Sequence, residues 1–170
     1  MTTSLLADAF GHHVWATLAL LDACASLTPE QLATAVPGTF GSIIGTVRHL
    51  VAADTSYLEL LSGGGVTVLD EEDELDVPVL RVAMEADGRV WQTVLARALD
   101  PDEVVVRVRD DGSQGQAPLG IRLAQVLHHG TDHRSQVCTA LTALGIEPPA
   151  IDAWDYAASR GRFVEVPPPA

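Results

Sequence analysis

Six histidines stand at positions 12, 13, 49, 128, 129 and 133. Two of them, His129 and His133, are four residues apart, which on a helix places both imidazoles one turn apart on one face. Stepping about 100° per residue groups the pair with Gln125, Val126, Gln136, Val137 and Ala140, the side that looks into the bundle, while His128 falls with Thr131, Ser135 and Thr142. Imidazoles directed into an apolar interior need partners. A third histidine, His49, lies near Ala53 and Tyr57, at the edge of an apolar stripe formed by Ile43, Leu50 and Leu61. One histidine from one helix and an HxxxH pair from another form a compact set of three nitrogen ligands, the kind of site that bundles build from facing helices. Neutral imidazoles suit transition ions, here Zn or Ni, better than Mg or Ca. Three protein ligands leave a position open for water or a small-molecule substrate, as catalytic sites do.

Other side chains are placed to support such a site. His13 shares the apolar arc of its helix with Phe10, Leu20 and Cys24. It reads as a fourth ligand, a proton shuttle or a core residue. His12 points elsewhere, toward the surface. Asp54 falls in the middle of an apolar stripe, an expensive place for a carboxylate without a partner. It accepts from a histidine N–H or an indole, or it caps a helix elsewhere; with His13 it is the candidate proton relay. Gln136 is close in angle to His129 and is placed to orient a bound water. Cys24 and Cys138 have no CxxC context and read as buried, inert thiols. Arg48, Arg122 and Arg134 are candidates for a cofactor carboxylate, though each reads more simply as a solvated helix residue.

These residues require helices to carry them. Helical periodicity runs over about Ser4–Leu27, Ser42–Leu61, Pro78–Leu99 and Pro118–Leu144, with a short turn over Pro29–Ala35 behind the Thr28 and Gln31 cap. The run Val104–Arg109 alternates and is β-branched, and the turn Asp110-Asp111-Gly112 follows it, so a small hairpin between the third and fourth long helices is expected. Asp152–Ser159 forms a last short helix. The acidic cluster Asp70–Glu74 reads as a solvated loop or helix start. The fold class is therefore all-α, a four-helix bundle in a single domain over 1–170.

Bulk properties narrow the partners. The 170 residues carry 23 acidic side chains against ten basic ones, a formal net charge of −13. Nucleic-acid and anionic-membrane binding both draw on basic clusters that this chain lacks. No apolar run approaches a membrane span, and the first residues lack the features of a secretory signal. A cytoplasmic protein is expected.

At this point the chain resembles the DinB-like, YfiT-like superfamily of metal-binding four-helix bundles. The matching text is His13-Val14-Trp15-Ala16-Thr17, Pro37-Gly38-Thr39-Phe40-Gly41-Ser42-Ile43, Thr46 through Asp54, and His129-Gly130-Thr131-Asp132-His133-Arg134-Ser135-Gln136. One departure is Ser135, where the family often has Gly. The resemblance implies an up-down-down-up bundle, often a homodimer, with metal held at His49, His129 and His133. It further implies thiol-cofactor chemistry, since members are S-transferases using low-molecular-weight thiols or a thiol-dependent isomerase, while others look like hydrolases. The leading expectation is a metal-dependent enzyme of thiol S-transferase or hydrolase type. The alternative is a non-catalytic, stress-related metal- or ligand-binding bundle, and a purely structural bundle with core histidines is the third reading.

Overall fold

The computed structural model describes residues 4–168. The elements run α1 (Leu5–Cys24), α2 (Pro29–Leu32), α3 (Ile43–Ser62), α4 (Val77–Leu95), β1 (Val104–Val108), β2 (Gln114–Pro118), α5 (Leu119–Ala143) and α6 (Ala153–Ser159). Each long helix except α5 starts on a side chain that accepts a bond from the first turn: Ser4 from Ala7, Ser42 from Gly45 and Asp76 from Val79. Such caps satisfy backbone N–H groups that have no partner inside the helix. Thr28 and Gln31 form the reciprocal capping box at α2. Gly63 ends α3 in the left-handed conformation, with φ 87°, where a side chain would be strained.

The expected helices are present, with some ends trimmed. The third long helix stops at Leu95 rather than Leu99, and just beyond it the Arg97 guanidinium donates to the Leu61 carbonyl at 2.6 Å. The α2 turn stops at Leu32, since Ala35 pairs with Ser42 in an isolated bridge. The expected hairpin forms, antiparallel, with Val104 opposite Pro118 and Val108 opposite Gln114. Among the described residues no helix is long and apolar enough to cross a membrane.

The four long helices close into a ring in which α4 packs on α1 and α3, and α5 packs on α3 and α1. Gly88, in the middle of α4, permits one of these contacts: a Cβ there would lie 2.9 Å from Val14 Cγ1. The interior divides into two apolar clusters. One holds Leu20, Leu21, Val47, Val51, Leu80, Met84, Val137 and Leu141; the other holds Phe10, Leu58, Trp91, Leu119, Leu123 and Val126. Between them in sequence on every long helix lies a buried polar residue: His13 and Thr17 on α1, Asp54 on α3, Asp87 on α4 and Arg134 on α5. The bundle thus has a polar middle layer to which every long helix contributes.

Candidate metal centre

Three histidines converge where α3 faces α5. His49 comes from α3, and His129 and His133 from successive turns of α5. One ligand atom from each lies within 4.8 Å of the other two. Nε2 of His49 is 3.0 Å from Nε2 of His129, and the His129 and His133 ring centroids are 4.4 Å apart. His128, exposed on the next face of α5, takes no part.

In His133 and His49 the other ring nitrogen fixes the tautomer. Gln136 Oε1 accepts from the Phe40 backbone N–H at 2.9 Å and meets His133 Nδ1 at 3.2 Å. An oxygen already accepting a bond requires His133 Nδ1 to be the donor, so Nε2 keeps its lone pair. Glu71 does the same for His49, whose Nδ1–H donates to its carboxylate. Carboxylate and amide partners of this kind orient metal-ligating histidines and raise their basicity. Burial, followed by the neighbouring His133 and His49, pushes His129 down to about 4. Burial likewise lowers His133. Both are neutral at pH 7, the state in which imidazole donates to a metal. The donor chemistry, tautomers and convergence fit a divalent transition ion.

Phe40 and Glu71 are the residues that sequence reasoning missed. The Phe40 ring stacks on His49 at 4.2 Å between centroids and meets His133 edge-on at 5.2 Å. It lies in the quoted Pro37–Ile43 text, which gave it no role. Glu71 belongs to the acidic cluster read as a solvated loop; the cluster is an exposed loop, and one carboxylate of the five in addition folds back onto His49. Gln136, expected to orient a water, instead ties His133 to the 37–41 turn. A cleft of about 570 Å³ opens beside His49 and His129, walled by Ser56, Tyr57, Leu69 and Glu71, with Arg107 from β1 also lining it.

His13 and Asp54 meet each other rather than the cleft. Asp54 Oδ1 lies 3.0 Å from His13 Nε2, and its Oδ2 accepts from Trp91 Nε1 at 2.9 Å, so both anticipated partners are present. The Arg134 guanidinium donates to His13 Nδ1 at 3.0 Å. Arginine only donates, so Nδ1 is the acceptor and Nε2–H donates to Asp54. Arg134 is 3% exposed, which overturns its reading as a solvated residue. Arg48 and Arg122 are corrected likewise: they bind the carbonyls of Leu75 and of Val105 and Gly115. His12, expected at the surface, is half-buried and pairs with the Ile151 carbonyl at 2.8 Å. Cys24 is a buried free thiol that burial pushes up to about 12, and Cys138 is free and partly buried.

A model of the DinB family matches residues 1–165. The chain belongs to the DinB family. No curated protein matches it. In this DinB-family protein the quoted family text falls on the residues that build the centre: His49, His129, His133 and Gln136, with the 37–43 turn carrying Phe40.

Proposed function

We propose that this DinB-family protein is a metal-dependent enzyme that acts on a small electrophile, with His49, His129 and His133 holding the ion. The observation that carries the reading is the convergence of three imidazoles beside a cleft of about 570 Å³. That volume lies in the range of small-molecule sites. A bound divalent ion makes thiolate or hydroxide available near neutral pH, which serves S-transfer from a low-molecular-weight thiol or hydrolysis. Every other contribution comes from the chain. Glu71 and Gln136 hold two of the ligand rings in one tautomer. Phe40 covers His49 and His133 and keeps water from that side. Tyr57, Ser56 and Arg107 supply polar contacts to a substrate in the cleft.

His13 and Asp54 serve this centre from behind in our reading. By holding Arg134 they fix the register of α5, and the next residue back along that helix is the ligand His133. Transfer of a proton through the pair requires His13 to exchange tautomers against Arg134. The test is an assay of the metal-loaded protein with model electrophiles, with and without a low-molecular-weight thiol, alongside ester and amide substrates. Turnover that disappears in His49→Ala supports the reading. No turnover of any class from stoichiometrically loaded protein sinks it and leaves the metal- or ligand-binding alternative.

A further inference from the structure

A second cavity, of about 410 Å³, lies between α1, α5 and α6, and shares no lining residue with the three-histidine cleft. Its most buried lining side chains are Arg134 and His13, 3% and 1% exposed. Leu127, Tyr156 and Ala157 line it with apolar surface. Asp8 and Arg162, paired with each other and largely solvated, stand at its rim.

The guanidinium is unusual in its partners. Nη1 donates to His13 Nδ1 and to Thr17 Oγ1 at 3.1 Å, and Nη2 donates to Thr131 Oγ1 at 3.2 Å. All of these acceptors are neutral. No carboxylate touches Arg134 among the described residues, and Asp54 reaches it only through the His13 ring. Nε–H has no acceptor among the described residues. Arg134 is among the side chains that line the cavity. A buried cation with no anion against it bears its desolvation cost uncompensated.

We propose that this cavity binds a small monocarboxylate with an apolar body. Arg134 takes the carboxylate in a charge-assisted hydrogen bond, and Leu127, Tyr156 and Ala157 cover the body. The volume suits a molecule of that size. The Asp8–Arg162 pair at the rim is neutral overall, and one buried guanidinium with few spare N–H groups suits a single carboxylate better than a phosphate. The site stands independently of the metal reading.

The test uses 3-phenylpropionate and its primary amide as probes, titrated into the purified full chain and followed by amide resonances and calorimetry. The carboxylate is expected to perturb Leu127, Thr131 and Ala157, and the amide to bind roughly tenfold more weakly or worse. Ala157→Phe, which fills the cavity without touching the polar layer, is expected to abolish binding, while a chelator leaves it unchanged. Loss of binding on chelation would place the carboxylate on the metal and overturn the proposal. Equal affinity for the amide, binding retained in folded Ala157→Phe, or no binding at about 10 mM overturns it as well.

Discussion

Nε2 of His49 and Nε2 of His129 lie 3.0 Å apart although 80 residues separate them in the chain. Glu71 occupies Nδ1 of His49, so the His49 lone pair faces its neighbour. At this distance the His49 lone pair accepts from a protonated His129 Nε2, or shares a cation with an unprotonated one. Two nitrogens bound at about 2.1 Å on a tetrahedral ion are separated by roughly 3.4 Å, close to what the side chains already adopt.

Glu71 is about half exposed, so its removal tests orientation of a ligand rather than packing. Glu71→Ala should lower metal affinity by about 10- to 100-fold, measured by competition with a chelating dye. Stability of the metal-free protein should change by no more than about 0.5 kcal/mol. Unchanged affinity would remove Glu71 from the centre.

Gly130 lies between the two ligands of α5, and a Cβ there would come within 2.5 Å of His13 Cε1 and 2.9 Å of Arg134 Nη1. Alanine is intrinsically the better helix former by about 1 kcal/mol. Overpacking against a ring fixed on both nitrogens should outweigh that, leaving Gly130→Ala about 1–3 kcal/mol less stable in urea. A more stable variant would contradict the account of the polar layer.

Asp87 supplies a pH signature. Burial, and then the charge of Asp54, pushes its carboxyl up to about 8 from an ordinary 3.8. A carboxyl raised in the folded state contributes stability that is fully present below about pH 4 and is lost as pH rises toward 8. In Asp87→Asn that loss is absent. The variant should gain on the parent steadily between pH 4 and 8, by on the order of a few kcal/mol, with a constant difference above. Thermal melts across this range check it, and a difference independent of pH would contradict it.

Asp54 accepts from both His13 and Trp91 inside the bundle. Asp54→Ala strands both donors and leaves Arg134 further from any anion. It should cost about 3 kcal/mol or more, measured by urea unfolding at pH 7. Near-parental stability would show that the layer relaxes or admits water.

Much of this was legible in the sequence because helical faces are periodic. The 100° step brought His129 and His133 together and excluded His128, and it placed Asp54 where only a buried partner explains it. The bundle, the cap at Thr28, and the hairpin followed from local signals. The rest depends on contacts between distant segments. Nothing near Glu71 distinguishes it from Asp70 or Glu72 until the loop after α3 folds back to His49. Arg134 looks solvated from composition, since only the approach of α1 over Gly130 buries it. Phe40 gains its role from a turn that docks on Gln136, 96 residues away.

The central claim is that His49, His129 and His133 together hold a divalent transition metal. The most direct test is elemental analysis of the purified chain beside folded His49→Ala and His129→Ala variants, after reloading with Zn or Ni and desalting. The account predicts one ion per chain in the parent and its loss in each variant, with circular dichroism unchanged. Parent protein that retains no stoichiometric metal, or variants that retain it, would contradict the claim.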